Sequence, residues 1–345
     1  MISLAILPEE KIYTSGDAYF NDLILALEGA KSTIDFETYI FSQDSIGSKI
    51  KDVLINAAKR GVKVRLLIDG AGTLFWGGKW AREFDAVGVK TKIYHPLPWS
   101  LGQWHRAKIK LPMLFKVFYL SYHINSRNHR KVVLVDKRIL FTGSMNVSDC
   151  HLSKVEGGQN WRDMGIQISK FNLQEVITAF EHSWQKSEIH DKLERLRARS
   201  TARFRLNNSW FKRRFYYRNL LRRVARSKER IWIANAFFIP DRFLLKKLAD
   251  SASRGVDVKI ILSGRAEPYF TLLVSRLLYR CLLKKNVEIY EYQPSVLHAK
   301  YLIIDESVLL GSSNLNHRSL LHDLELDVEL SKESSKNKII EAFQD

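Results

Sequence analysis

The stretch "NHRKVVLVDKRILFTGSMN" (128–146) places polar side chains at both ends of strand-like apolar runs. His129 and Lys131 come before four aliphatic residues and Asp136, and a second apolar run then leads into "GSMN". The same order returns in "LHAKYLIIDESVLLGSSN" (297–314). A lone histidine–lysine pair is common by chance, but two copies with matched spacing indicate a function for the pair.

The two stretches belong to a longer internal repeat. "RGVKVRLLIDG" (60–70) returns as "RGVDVKIILSG" (254–264), and each follows a helix-like pattern that is itself preceded by an apolar strand. Strands that alternate with helices predict an α/β fold of two similar halves, with mainly parallel sheets flanked by helices. The predicted divisions are a first half at 1–185 with an aromatic and basic insertion at about 96–127, a basic bridge at 186–217, and a second half at 218–345.

Composition limits the class of protein. The net charge is +18, and residues 186–230 alone hold 16 Lys/Arg against 4 acidic residues. Such blocks bind phosphate, on nucleic acid or on anionic lipid, or they keep a helix face solvated.

Cys150 and Cys281 cannot form a disulfide framework. No signal peptide and no run of roughly 18 apolar residues is present, so we expect an intracellular protein, soluble or peripheral on a membrane.

Each motif predicts a β-hairpin that gathers its polar residues. His129 and Lys131 lie on the same face of a strand because side chains alternate. A two-residue loop at 137–138 would pair Asp136 with Ile139, and therefore Lys131 with Ser144. By the same register His129 would lie opposite Asn146.

In the second copy a three-residue loop at 305–307 would pair Ile304 with Val308. Lys300 then lies opposite Ser312, and His298 opposite Asn314. Asp305, like Asp136 in the first copy, stands at the far end of its strand from the histidine, so it is expected to stabilise the turn or neighbouring basic groups.

A cluster of this kind suits a phosphodiester. Lysine supplies a positive charge, while serine, asparagine and backbone groups supply hydrogen bonds. One neutral histidine can attack phosphorus, and a second, protonated histidine can give its proton to the leaving alkoxide. Lysines would take the place of a metal ion in stabilising the equatorial oxygens.

The paired motifs resemble the signatures of the phospholipase D superfamily over nearly the whole chain. Several stretches, among them "FETYIF" (36–41) and "NWRDMGIQI" (160–168), resemble bacterial cardiolipin synthases of the short type without an N-terminal membrane anchor. The resemblance implies two α/β/α halves with one shared active site, a phosphohistidine intermediate, and neither a metal nor another cofactor. It also implies His129 as nucleophile and His298 as acid.

The resemblance also assigns the site residues. Those it marks as catalytic are His129, Lys131, Asp136, His298, Lys300 and Asp305. Those it places around the phosphate are Ser144, Asn146, Ser312 and Asn314. Asp163 and Glu325 are candidates for the carboxylates that orient the histidines, or are ordinary salt-bridge partners.

The expected function is a phosphatidyltransferase that makes cardiolipin from phosphatidylglycerol and a second phospholipid at the membrane surface. The alternatives are a hydrolytic phospholipase D and a metal-independent nuclease; large aliphatic residues among the basic ones favour lipid over nucleic acid.

Two segments, 99–120 and 207–223, resemble interfacial segments, or else pack a core. The aromatic residues of the first are Trp99, Trp104, Phe115, Phe118 and Tyr119. The expected location is the cytoplasmic face of the bacterial inner membrane, and the oligomeric state is left open.

Overall fold

Two seven-stranded sheets with flanking helices make up the described chain. The computed structural model describes residues 9–73, 76, 78–107, 112, 115, 119–121, 124–185, 203–265 and 270–345. The first half contains β1 (Glu9–Tyr13), α1 (Gly16–Glu28), β2 (Thr33–Thr38), α2 (Ser45–Lys59), β3 (Lys63–Asp69), α3 (Lys79–Ala86), β4 (Lys90–Tyr94), β5 (Val132–Val135), β6 (Ile139–Gly143), β7 (Gly165–Ser169) and α4 (Gln174–Trp184).

The second half repeats this order with one additional short helix, α8. It contains β8 (Phe204–Leu206), α5 (Trp210–Arg226), β9 (Arg230–Asn235), α6 (Arg242–Ser253), β10 (Asp257–Ser263), α7 (Phe270–Leu283), β11 (Glu288–Tyr292), β12 (Tyr301–Ile304), β13 (Ser307–Gly311), α8 (His317–Leu321), β14 (Leu326–Glu329) and α9 (Glu333–Gln344). Within the ranges given above, no helix is long and apolar enough to cross a bilayer.

The two sheets have the same topology. Their strand orders are β1-β7-β6-β5-β2-β3-β4 and β8-β14-β13-β12-β9-β10-β11. The predicted two-half α/β architecture is therefore confirmed, but the sheets are mixed rather than mainly parallel. Only β2–β3–β4 and β9–β10–β11 run parallel, and the remaining pairs are antiparallel. The short loops of the two motif hairpins require antiparallel pairing of β5 with β6 and of β12 with β13.

The predicted register of both hairpins is wrong by one residue. Val135 pairs with Ile139, and Ile304 pairs with Ser307, so the loops are 136–138 and 305–306. In the first loop Asp136 and Lys137 both have positive φ values, 51° and 56°, whereas in the second only Asp305 does, at 50°.

The register also changes which residues lie opposite the lysine of the second motif. The N–H of Gly311 donates to the carbonyl of Lys300 at 3.1 Å, so Gly311 takes the place that was predicted for Ser312.

One apolar cluster joins the two halves. Leu134 and Leu140 of the first hairpin pack in the same buried cluster as Ile303 and Leu310 of the second. The alternate residues, such as Val133, turn to the outer helices and form a separate cluster there. The shared core therefore fixes the position of one hairpin relative to the other.

The described part of the predicted bridge belongs to the second sheet. β8 pairs with β14, and α5 begins after Ser209, whose side chain accepts a hydrogen bond from the N–H of Lys212. By topology β8 and α5 correspond to β1 and α1, and the predicted start of the second half at 218 falls inside α5. Residues 186–202 lie outside the described residues.

Asp136 and Asp305 stand at the hairpin turns, and the catalytic role assigned to them is corrected. Asp136 accepts the backbone N–H groups of residues 31–33, at 2.9, 2.7 and 2.9 Å. Asp305 accepts those of residues 228–230. Each carboxylate ties its turn to the loop before the first parallel strand, at the opposite end of the hairpin from the histidine. This is the structural role that the strand geometry predicted.

Replacing Asp136 by alanine should lower the free energy of unfolding by about 1–2 kcal/mol, because three backbone donors lose their acceptor. Partial burial raises the pKa of Asp136, but the donors outweigh it and hold the pKa below the usual value. The folded state therefore binds this proton less readily, so the contribution is present at neutral pH and is lost as the pH falls through the folded pKa. Urea unfolding of Asp136→Ala at pH 7 and pH 3.5 measures both effects.

The exposed Glu156 supplies the control, because its replacement by alanine should change stability little. Equal losses for Asp136→Ala at both pH values would contradict the proposed anchor.

Candidate active site

The polar ends of the two hairpins meet at one edge of the shared core. The histidines and lysines precede β5 and β12, the serines and asparagines follow β6 and β13, and the two candidate carboxylates precede β7 and β14. Because these strands are antiparallel neighbours, all of these positions fall at the same end of the sheets. The residues at this edge are His129, Lys131, Ser144, Asn146, Asp163, His298, Lys300, Ser312, Asn314 and Glu325.

His129 is held by a carboxylate of the other half. Its Nδ1 lies 3.1 Å from each oxygen of Glu325 and 3.1 Å from the carbonyl oxygen of Ser312. A carbonyl can only accept a hydrogen bond, so Nδ1 carries the proton and the neutral ring has its lone pair on Nε2. The backbone N–H of His129 also donates to the carbonyl of Leu324, at 3.0 Å.

His298 is held in the reciprocal way. Its Nδ1 lies 2.7 Å from Oδ2 of Asp163, which belongs to the first half. Its backbone N–H donates to the carbonyl of Arg162 at 2.8 Å. Each histidine is therefore oriented by the carboxylate of the opposite half, and Nε2 is the ring atom that remains to act on a substrate.

The two lysines bring positive charge to both histidines. Nζ of Lys131 donates to the carbonyl of His129 at 2.8 Å, and Nζ of Lys300 donates to that of His298. Burial lowers the pKa of Lys131 to about 7 and that of Lys300 to about 8. Burial, with both lysine charges adding, lowers the pKa of His129 well below its usual value. A site that concentrates buried cations in this way favours an anionic ligand.

The two orienting carboxylates differ in protonation. Burial alone raises the pKa of Asp163, but His298 and His151 outweigh it and hold this pKa well below the usual range. Burial raises the pKa of Glu325 to about 7, although Lys131 opposes the rise. Burial, with Lys300 adding, lowers the pKa of His298 to about 3. At neutral pH in the free site, Asp163 is ionised and the His298 ring is neutral.

The serine hydroxyls contact the carboxylates. Ser144 donates to Oδ1 of Asp163, and Ser312 donates to Oε2 of Glu325. Their hydroxyl protons are therefore engaged with the orienting groups, whereas the sequence predicted contacts to phosphate. The side-chain oxygens of Asn146 and Asn314 are buried and have no hydrogen-bond partner among the described residues.

Four residues at the site were missed by the sequence reasoning. The ring of Tyr39 lies 5.0 Å from that of His129, and the ring of Trp161 lies 5.6 Å from that of His298. His151 lies 3.1 Å from Asp163, and Ser319 donates to Glu325. His151 and Ser319 each follow the motif asparagine by five residues, a regularity that could have identified them.

His151, Asp163 and His298 present three groups of the metal-binding type, whose ligand atoms lie within 4.8 Å of one another. Two of these atoms already face each other as donor and acceptor, since Nδ1 of His298 donates to Asp163. A metal ion at this position would displace that proton and remove the orientation of His298.

The fold and this site define the phospholipase D class of two-half α/β proteins, in which each half supplies a histidine, a lysine and a carboxylate. A family model described as "Cardiolipin synthase, PLD-like domain" matches residues 23–184 and 220–345. The chain belongs to this family of cardiolipin synthase, phospholipase D-like proteins.

Curated relatives carry the same description. The chain is 28% identical to a cardiolipin synthase of Alkalihalophilus pseudofirmus, over 97% of this chain and 65% of that protein. It is 30% identical to cardiolipin synthase B of Salmonella typhimurium, over 92% of this chain and 75% of that protein. The chain thus spans 65% of the length of the first of these relatives.

Solved structures support the fold. Phosphatidylserine synthase from Haemophilus influenzae aligns with 99% of this chain and 88% of its own, with a TM-score of 0.70 and 14% identity. Polyphosphate kinase from Porphyromonas gingivalis aligns with 97% of this chain and 50% of its own, with a TM-score of 0.61 and 11% identity.

Replacing Glu325 by glutamine should change how stability depends on pH. The pKa of Glu325 is about 7 in the folded protein against 4.5 for the free group, so the folded state holds this proton more tightly. The stability that this proton contributes is present below pH 4.5 and is lost as the pH rises to 7. The free energy of unfolding of Glu325→Gln, relative to the parent protein, should therefore rise from pH 5 to pH 7.

Urea unfolding at pH 5, 6 and 7 measures this difference. Glu156→Gln, a change of an exposed carboxylate, should give a difference that does not vary over the same range. A difference for Glu325→Gln that is equally flat would show that Glu325 is ionised throughout.

Proposed function

We propose that this protein transfers a phosphatidyl group from phosphatidylglycerol to a second phospholipid, making cardiolipin at a membrane surface. The observation that carries the proposal is the reciprocal pairing of His129 with Glu325 and of His298 with Asp163, with one lysine beside each histidine. Two oriented imidazoles and two cations form a site for an anionic phosphodiester. Membership of the cardiolipin synthase family supports phospholipid as the substrate class.

In the proposed reaction Nε2 of His129 attacks phosphorus, and the bond from phosphorus to the glycerol oxygen breaks. His298, protonated at Nε2, gives its proton to the leaving glycerol oxygen. The neutral His298 then takes the proton from the hydroxyl of the acceptor lipid, whose oxygen attacks the phosphohistidine and frees His129. The lysines stabilise the charge on the equatorial oxygens.

The protonation of the carboxylates supports this order of roles. An ionised Asp163 stabilises the imidazolium that the acid role of His298 requires. A bound phosphodiester adds a negative charge, which raises the pKa of His298 from its low value in the free site. Glu325 has a pKa of about 7, so at neutral pH it is only partly ionised. It therefore orients His129 through Nδ1, but it stabilises a second proton, on Nε2 of His129, less than a fully ionised carboxylate would.

The start of α5 is the proposed contact with the bilayer. Trp210, Phe211 and Phe215 are about half exposed, and the guanidinium of Arg214 lies 4.1 Å from the ring centre of Trp210. Exposed aromatic rings among basic side chains are typical of interfacial helices. The helix begins just after Asn207, whose side chain accepts the backbone N–H of Glu325. This segment therefore lies beside the site.

The insertion of the first half is the proposed second part of this surface. Trp99 and Phe115 are exposed by 67% and 66%, whereas Phe118 lies outside the described residues. The charge of Arg213 on α5 acts on Tyr94, which ends the strand just before the insertion. A protein held by both segments would bind peripherally, and we propose the cytoplasmic face of the inner membrane as its location.

Separate His129→Ala and His298→Ala variants test the chemistry. Each should reduce cardiolipin and free glycerol formed from phosphatidylglycerol vesicles, without added metal, by at least about a thousandfold, because each removes a participating imidazole. Vesicle binding should stay within a factor of two. With ³²P-labelled phosphatidylglycerol, His298→Ala should form a labelled protein much more slowly than the parent, because the leaving glycerol lacks its acid, and His129→Ala should form none.

The products of the parent protein separate the alternatives. Phosphatidic acid without cardiolipin would indicate hydrolysis, and cleavage of labelled DNA with unchanged lipid would replace lipid by nucleic acid. His182→Ala, a histidine outside the motifs, is the control and should retain activity.

Removing two cations from α5 tests the membrane contact. Arg214→Ala with Arg218→Ala should weaken binding to phosphatidylglycerol vesicles by about 30-fold at low salt, since each exposed cation near an anionic leaflet contributes about 1 kcal/mol. The difference should shrink at high salt, where these charges are screened. Vesicle sedimentation at two salt concentrations measures it.

The matched control is Lys59→Ala with Lys63→Ala. Both lysines are exposed. Lys59 ends α2, and Lys63 begins β3 where it pairs with the start of β2, at the end of the sheet away from the site. An equal effect of the two double variants would mean that α5 is not the contact.

A further inference from the structure

A cluster of basic side chains lies beside the site on the second half. α8 begins three residues after Asn314 and presents His317 and Arg318 to solvent, and the exposed His322 follows it directly. The rings of His317 and His322 lie 5.3 Å apart, centre to centre. α8 packs against α5, and the charge of Arg213 on α5 acts on His322. Two histidines and two arginines are thus brought together at the surface.

Arg318 is held through one nitrogen, and its other nitrogens are available to a ligand. Nε of Arg318 lies 3.4 Å from Oδ1 and 3.3 Å from Oδ2 of Asp323. The side chain of Arg318 is 49% exposed, and its two terminal nitrogens have no hydrogen-bond partner among the described residues. A guanidinium fixed in this way presents a planar pair of donors, which matches two oxygens of a phosphodiester.

The same ion pair places Arg318 close to the histidines of the site. Asp323 stands two residues before Glu325, and its Oδ1 accepts the backbone N–H of Arg127, at 3.0 Å. Arg127 in turn stands two residues before His129. Burial is the main reason that the pKa of His129 is low, and the charge of Arg318 adds to the effect. The cluster is therefore a neighbour of any phosphodiester that the two histidines bind.

The first half differs at the positions of His317 and Arg318. Counted from the motif asparagine, it has Asp149 and Cys150 there. The carboxylate of Asp149 accepts the backbone N–H groups of residues 45 and 46, at 2.9 and 2.8 Å, so it belongs to the start of α2. The basic pair on α8 is thus an addition to the repeat, and the symmetry of the two halves does not account for it.

We propose that this cluster binds the phosphodiester of the acceptor phospholipid, with Arg318 as its main contact; this inference rests on the proposed function. The reaction brings two phospholipids together, and only the donor phosphorus lies between the histidines. The acceptor hydroxyl of phosphatidylglycerol is one glycerol unit away from its own phosphate, so a second anion must lie near the site. The terminal nitrogens of Arg318 can bind that anion, and the rings of His317 and His322 can donate to it.

Two acceptors that differ in a phosphate test the proposal. In the parent protein a second phospholipid takes the phosphatidyl group and gives cardiolipin. With ¹⁴C-glycerol, a glycerol oxygen attacks the phosphohistidine, the phosphorus–nitrogen bond breaks, the hydroxyl proton passes to His298 and labelled phosphatidylglycerol forms. Glycerol carries no phosphate. The ratio of cardiolipin to labelled phosphatidylglycerol therefore separates recognition of the acceptor phosphate from the chemistry at the histidines, and phosphatidic acid, the product with water, gives a second such reference.

In Arg318→Gln this ratio should fall by about tenfold, the loss typical of one charge-assisted hydrogen bond. The measurement uses phosphatidylcholine vesicles with a low fraction of phosphatidylglycerol, where the acceptor is limiting. Arg318→Lys keeps the charge and should recover part of the ratio. An unchanged ratio in Arg318→Gln would overturn the proposal, even if both rates fall together, because Arg318 would then only support the site.

The matched control is Arg214→Gln, which removes an exposed cation of the proposed membrane contact on α5. It should lower both rates together, since the donor of both reactions is in the vesicle, and it should leave the ratio as in the parent protein. An equal fall of the ratio in Arg214→Gln and Arg318→Gln would mean that the cluster binds bilayer lipid in general, and the acceptor role would be wrong.

NMR of ¹³C-histidine-labelled protein tests the cluster without turnover. The probes are inorganic phosphate and dihexanoyl phosphatidylglycerol, and the signal of His322 is assigned from His322→Gln. A bound anion favours the imidazolium, so the titration midpoint of His322 should rise with the lipid probe in the parent protein, and the rise should be lost in Arg318→Gln. The midpoint of His182, which lies on α4, should not change.

The outcomes of the NMR titration separate the two sources of phosphate. No rise with either probe would overturn the proposal, and a rise with inorganic phosphate alone would replace the lipid by free phosphate. If the parent protein forms neither cardiolipin nor labelled phosphatidylglycerol, the proposed function fails and the acceptor role fails with it. A rise that depends on Arg318 would still support a phosphodiester site in that case.

Discussion

The structure depends on two reciprocal hydrogen bonds between histidine and carboxylate across the interface of the halves. His129 of the first half donates to Glu325 of the second, and His298 of the second donates to Asp163 of the first. Burial of these charged groups costs free energy unless each finds a partner. Because each histidine finds its carboxylate on the opposite half, neither half alone can orient its own histidine. Backbone hydrogen bonds from His129 to Leu324 and from His298 to Arg162 hold each histidine beside its carboxylate.

The halves share a topology, but their chemistry is unequal. The carboxylate of the first half is an aspartate held ionised by two imidazoles, whereas that of the second is a glutamate whose burial raises its pKa to about 7. His298 therefore faces an ionised carboxylate, whereas His129 faces a carboxyl group that is only partly ionised at neutral pH. This difference gives a physical reason for the distinct roles, nucleophile and acid, that we propose for the two histidines in a site built from a repeat.

The buried cations explain why the site suits an anionic ligand. Lys131 and Lys300 are almost inaccessible to solvent, and burial lowers the pKa of both. A negatively charged phosphodiester would raise the pKa of both lysines toward the usual value. Binding of an anionic ligand and protonation of the lysines are therefore coupled. Arg130 adds a further buried cation at the interface, where its guanidinium donates to Ser183 and Asn208.

The sequence by itself determined the repeat, the two histidine–lysine pairs and the candidate carboxylates, because spacing along the chain is preserved in both copies. It could not determine the hairpin register, which depends on where Asp136 leaves its strand, nor the antiparallel pairing of most strands. The partner of each histidine, and the place of His151 beside Asp163, were decided by tertiary structure alone. Those contacts join residues far apart in the chain, and only the packing of the two sheets against their shared apolar core brings them together.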